Sequence, residues 1–166
     1  MIVSTSFISS MFISLFLLIN QIFAQSLDQN FVFLNELSLK SKSGILRLNT
    51  ESYNILMSTP RNYSAFVVLT ALASQHQCNP CLALDSELPL VADAYKRGYI
   101  EGSDRLFIGV LDFADGKEVF NKLKISNVPR VSFHPKMITR DRQKEEGIVF
   151  DMNRRYLLIL SFLFIS

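Results

Sequence analysis

Gln75-His76-Gln77-Cys78-Asn79-Pro80-Cys81, entered from the apolar run Ala65-Phe66-Val67-Val68-Leu69-Thr70, is the stretch on which the reading of this chain turns. Cys78 and Cys81 are its only two cysteines. With two residues between them, they can close a small disulfide ring. The apolar run before them is continuous rather than alternating, which predicts a strand buried on both faces. After them Leu82, Leu84, Leu88, Val91, Ala92 and Tyr95 recur at helical spacing, with Pro89 inside, where a kink is expected. The pair therefore sits between a strand and the start of a helix. A helix N-terminus carries partial positive charge and free backbone N–H groups, which favour the Cys78 thiolate over the thiol. Only the thiolate attacks disulfides. Thiol–disulfide exchange at Cys78 and Cys81 is the expected chemistry, and a static structural disulfide is the bland alternative.

The compartment agrees with that chemistry. Residues 7–23 are almost wholly apolar, broken only by Ser9, Ser10, Ser14, Asn20 and Gln21, and small Ala24 precedes a turn to polar sequence at Gln25. Residues 1–24 read as a secretory signal peptide, with an uncleaved anchor as the rival. The remaining chain would face an oxidising lumen where disulfides persist. It is of a size to form one domain around one core, placed at residues 25–155. Lys plus Arg number 17 against 15 Asp plus Glu, a net charge of only +2. Arg140, Arg142, Lys144, Arg154 and Arg155 cluster late, but Asp141, Glu145, Glu146 and Asp151 are interleaved with them. That mixture reads as a solvated surface, and no nucleic-acid partner is expected. A zinc site needs further ligands, and the chain has only His76 and His134 to offer. No metal and no cofactor is therefore expected.

Periodicity sets the remaining elements. Phe31, Leu34 and Leu37 place a first helix over 27–39, closed by Gly44, and Ile45-Leu46-Arg47-Leu48 is a short strand. Asn49 or Thr50 can cap a second helix over 51–57, which Pro60 ends. Residues 105–113 read as another buried strand, parallel to the first if the intervening helix is a crossover. A helix then runs from Asp115 to Leu123. Val128-Pro129 leads into a strand at Arg130-Val131-Ser132-Phe133, and Gly147-Ile148-Val149-Phe150 pairs with it. This order resembles the thioredoxin-like α/β fold: a central mixed sheet flanked by helices, with an extra N-terminal helix. The resemblance implies that Pro129 is cis and faces the cysteines, so that Val128 and Pro129 border a bound peptide.

A more specific likeness follows. Leu48-Asn49, Tyr53, the run Ser58-Thr59-Pro60-Arg61-Asn62-Tyr63-Ser64 with the strand after it, the cysteine pair, Asp112-Phe113, Gly116, Phe120 and Val128-Pro129 resemble the luminal domain of the subunit 3/6 family of eukaryotic oligosaccharyltransferase (dolichyl-diphosphooligosaccharide–protein glycosyltransferase). The resemblance covers residues 27–155. It implies an accessory, non-catalytic subunit of that complex in the endoplasmic reticulum lumen, assisting N-glycosylation through transient mixed disulfides with cysteine-containing nascent clients. Cys78 would attack, Cys81 would resolve, and the two would close a Cys78–Cys81 disulfide. Other subunits of the complex would be its partners. The family continues into a closing helix and membrane-spanning helices. Here residues 156–166 are an apolar tail unlike it, of about ten apolar residues where a spanning helix needs about 20. The expectation is a truncated C-terminus.

Two readings stay beside this one: a free luminal thiol–disulfide oxidoreductase, and a non-redox peptide-binding module. The run from Leu69 to Ala73 holds no Asp or Glu to serve as a base under the pair, so resolution at Cys81 should be slow. Asn62-Tyr63-Ser64 is formally an N-glycosylation acceptor, although its place before a buried strand favours a structural role.

Overall fold

The computed structural model describes residues 4–98, 105–137 and 147–150, with side chains at 11–19, at 21 and from 29 onward. The charged cluster from Arg140 and the tail at 156–166 lie outside the described residues. A long helix α1 (Ser4–Lys40) leads into β1 (Leu46–Leu48), α2 (Thr50–Leu56) and β2 (Ser64–Thr70). A short 3₁₀ turn, Ser74–His76, precedes α3 (Asn79–Gly98); β3 (Leu106–Asp112), α4 (Phe113–Leu123), β4 (Arg130–His134) and β5 (Ile148–Phe150) complete the order. The five strands form one sheet in the order β1-β3-β2-β4-β5. β3 runs parallel to both β1 and β2, whereas β4 is antiparallel to β2 and to β5. The expected mixed sheet is present, with β2 at its centre.

That central position explains the unbroken apolar run in β2, because every residue of the strand is buried. Alternation divides its side chains. Ala65, Val67 and Leu69 join Leu34 of α1, Tyr53 and Leu56 of α2, and Val119 and Phe120 of α4 in one core layer. Phe66 and Val68 face the other way, against Leu84, Leu88 and Ala92 of α3, with Ile108, Val110 and Val131 beside them. The helix after the cysteines thus covers one face alone. Pro89 lies within α3, and the buried residues on either side of it, Leu88 and Val91, keep the same stripe.

Local chemistry fixes the helix starts. Asn49 accepts from the Ser52 N–H, and the Ser52 hydroxyl accepts from the Asn49 N–H, a closed capping box for α2. α4 starts two residues earlier than its hydropathy suggests, because Asp112 caps it through the Ala114 N–H at 2.9 Å. α1 is continuous through residues 24 and 25, and exposes Met11, Phe12, Ile13 and Leu15 to Ile19. Among the described residues no helix is long and apolar enough to cross a membrane.

The Pro60-Arg61-Asn62-Tyr63-Ser64 segment is anchored at the other end of β2 from the cysteines. The Arg61 guanidinium is buried and donates to the Pro135 carbonyl at 3.0 Å, while its backbone bridges to Met137. Tyr63 packs edge-on to Phe107, ring centroids 5.1 Å apart, and its hydroxyl donates to the Ile55 and Leu56 carbonyls. The Thr59–Pro60 peptide is cis, which the sequence did not suggest.

Candidate redox site

Cys78 and Cys81 are joined as a disulfide, their Cα atoms 5.2 Å apart. They straddle the first residues of α3: Asn79 opens the helix and Cys81 lies in its first turn. The two sulfurs occupy different environments. Cys81 is 1% exposed, whereas Cys78 is only half-buried at the rim. The Cys81 backbone N–H points at the Cys78 sulfur at 3.3 Å. This is one of the unpaired donors of the helix start, aimed where negative charge resides when Cys78 is a thiolate. Gln77, in the left-handed region at φ 47°, turns the chain from the 3₁₀ turn into α3.

The second expected component arrives from β4. The Val128–Pro129 peptide is cis, and the Val128 carbonyl oxygen lies 3.8 Å from the Cys78 sulfur. Three of the expected site residues, Cys78, Val128 and Pro129, thus meet on one rim with Cys81 beneath them. Asn62 does not join them. It is exposed beyond the opposite end of β2, and the next two residues of the acceptor motif are buried; the Ser64 hydroxyl accepts from the Lys136 N–H at 3.1 Å. His76 is exposed, its ring edge-on to Phe113 with centroids 5.5 Å apart. Among the described residues no group of His, Cys, Asp and Glu is placed to hold a metal.

Sequence reasoning met Asp112 only as part of the family likeness and missed its structural task. Besides capping α4, its carboxylate accepts from the Leu72 N–H at 2.6 Å, tying the loop that carries the cysteines to the end of β3. The available signal was an aspartate directly after a buried strand, where an N-cap is favoured. Asp112→Ala removes the cap and leaves two backbone donors without their acceptor. It is expected to cost about 2 kcal/mol in urea unfolding, with Asp112→Asn recovering part of the loss. A cost within a few tenths of zero would show that the clamp carries no stability.

A mixed sheet with a crossover helix that begins at a cysteine pair, facing a cis-proline, defines a thioredoxin-like protein. Solved structures agree. The crystal structure of chloroplastic thioredoxin z aligns with a TM-score of 0.50 at 18% identity, covering 74% of this chain and 96% of that one. The first thioredoxin domain of mouse protein disulfide-isomerase A4 aligns at 0.51 and 14% identity, covering 74% and 75%. The sequence model described as "OST3 / OST6 family, transporter family" matches residues 33–163, and the chain belongs to that family. Its curated relatives include the dolichyl-diphosphooligosaccharide–protein glycosyltransferase subunit MAGT1 of Danio rerio, 36% identical over 90 residues, which are 54% of this chain and 27% of the relative. The Xenopus laevis protein of that name is 34% identical over 98 residues, 58% of this chain and 30% of its own length. The human one is 31% identical over 90 residues, again 54% and 27%. The chain thus spans under a third of the length of these relatives.

Proposed function

We propose that this chain is an accessory subunit of oligosaccharyltransferase in the endoplasmic reticulum lumen, which assists N-glycosylation by holding clients as transient mixed disulfides. In this reading residues 1–24 are the signal peptide and residues 25–155 the working domain. The observation that carries the proposal is the asymmetry of the pair: a reachable Cys78 under the Val128 carbonyl and an enclosed Cys81, in a chain whose relatives are named as subunits of that glycosyltransferase.

The exchange balances without an outside oxidant. A client thiolate attacks the Cys78 sulfur; the client–Cys78 bond forms, the Cys78–Cys81 bond breaks, and Cys81 leaves as a thiolate. While this mixed disulfide lasts, the client's cysteine cannot pair within its own fold. Resolution reverses the step: the Cys81 thiolate attacks the Cys78 sulfur, the ring closes, and the client leaves as a thiolate that takes a proton from water. An enclosed thiol is slow to ionise, so burial of Cys81 lengthens the hold.

The test is a Cys81→Ser chain expressed in the secretory pathway. It should accumulate disulfide-linked adducts with secretory proteins on non-reducing gels, and oligosaccharyltransferase subunits should copurify with it. Absence of adducts while Cys78 remains open to alkylation would end the holding role.

A further inference from the structure

The structure leaves one buried polar group at the end of β2 that leads to this site without a task. Thr70, the last residue of β2, is 1% exposed, and its hydroxyl has no hydrogen-bond partner among the described residues. A buried hydroxyl without a partner is destabilising, so its place calls for an explanation. Placement supplies one. Along β2 the side chains at 66, 68 and 70 fall on one face, and Phe66 and Val68 there pack with Leu84, Leu88 and Ala92 of α3. The buried stripe of α3 reads Cys81, Leu84, Leu88 from its first turn inward. A crossover helix between parallel strands runs back along the sheet, so its start lies over the end of the preceding strand. The last step of the strand and the first step of the helix therefore fall at the same end of one sheet face, the face to which Thr70 and Cys81 both belong.

The nearby carboxylate is already engaged. Asp112 is the register partner of Thr70 on β3, and its two oxygens accept from the Leu72 and Ala114 backbones. We propose that Thr70 is a positioning residue for Cys81, its hydroxyl donating a hydrogen bond to the Cys81 thiolate that exists only while the ring is open. This rests on the exchange chemistry proposed above. In the closed ring Cys81 carries no charge, and the hydroxyl has no partner to serve. In the mixed disulfide Cys81 is released from the ring into an enclosed position, and whenever it ionises to attack Cys78 the threonine supplies a hydrogen-bond donor to the charged form.

A hydrogen bond to a charged acceptor is worth about one pKa unit or more. Thr70→Val keeps the shape and removes the donor, and Thr70→Ser restores it. In a Cys78→Ser background, where Cys81 is alone, the pH dependence of its alkylation should move up by about one unit with Thr70→Val and return with Thr70→Ser. This readout needs no client, so it stands apart from the fate of the holding role. In the intact pair, release of a cysteine peptide from Cys78 should slow about threefold below the Cys81 pKa and equal or exceed the parent rate above it, since a more basic thiolate is scarcer but more nucleophilic. A packing role alone would alter the rate equally at every pH. Because Thr70→Val removes a buried unpartnered hydroxyl, its unfolding midpoint should match or exceed that of the parent. Coincident alkylation profiles with and without the Thr70→Val substitution would overturn the assignment.

Discussion

Alkylation by a bulky thiol reagent is expected to be about a hundredfold faster at Cys78 in a Cys81→Ser chain than at Cys81 in a Cys78→Ser chain. Three features act in the same direction. Cys78 is half-buried at the rim and Cys81 is 1% exposed, so the reagent reaches Cys81 only when α3 opens locally. The Cys81 N–H supports a negative sulfur at Cys78. The N-terminal end of α3 adds its partial positive charge at the same point. Serine at position 81 introduces a hydroxyl into an enclosed site, so Cys81→Ala serves as the second form of the same comparison. Equal rates in the two single-cysteine chains would show that the pair is symmetric, and the order of attack assigned here would fail.

Tyr63→Ala is the substitution expected to cost the fold most, about 3–5 kcal/mol by analogy with other buried aromatic truncations. The ring is 1% exposed and meets Phe107 edge-on, and the hydroxyl closes onto the Ile55 and Leu56 carbonyls at the end of α2. For a domain of this size the unfolding midpoint should fall by more than about 10 °C. Alkaline pH gives an independent view of the same residue. Burial pushes its pKa up to about 12, against the smaller lowering effects of Ser58 and Arg61. Between about pH 10 and pH 12 the unfolded chain loses the phenolic proton and the folded chain keeps it, so the unfolded state binds fewer protons and stability falls as pH rises. The full contribution is present below about pH 10, and its loss amounts to roughly 3 kcal/mol. Tyr63→Phe should give up about 1 kcal/mol near neutrality and be flatter through that alkaline window. An unchanged alkaline slope in the Tyr63→Phe chain would assign the effect to other groups.

Much of this architecture was legible in the residues. The continuous apolar run of β2 announced a central strand, and the stripe from Leu84 to Ala92 announced the helix laid over it, because both signals are local and periodic. The cap of α2 was open to sequence as Asn49 or Thr50, and it is Asn49; a cis Pro129 was open only through the resemblance to the thioredoxin-like fold. The likeness carried by residues 58–64 has its physical basis in the buried Arg61 and Tyr63, which hold the segment in place. What remained hidden depends on register. Asp112 reaches the Leu72 N–H across 40 residues of chain, and the isolation of the Thr70 hydroxyl follows from which strand face it occupies. Hydropathy starts α4 at Asp115 because it marks where a face begins, whereas the Asp112 cap marks where the backbone turns. Hydropathy also divided the N-terminal segment near residue 24, and the backbone of α1 crosses that point without a break.

The strand order has a consequence in time. β2 pairs with β3 on one side and β4 on the other, and both are made after it. At roughly 5–20 residues per second of synthesis, the interval between Thr70 and His134 lasts about 3–13 s. Throughout it the central, wholly buried strand lacks one neighbour or both, and the cysteine pair that follows it has no Val128 carbonyl beside it. The nascent chain is therefore itself a molecule with exposed strand edges and two reachable thiols, in the same vulnerable state as the clients it is proposed to hold.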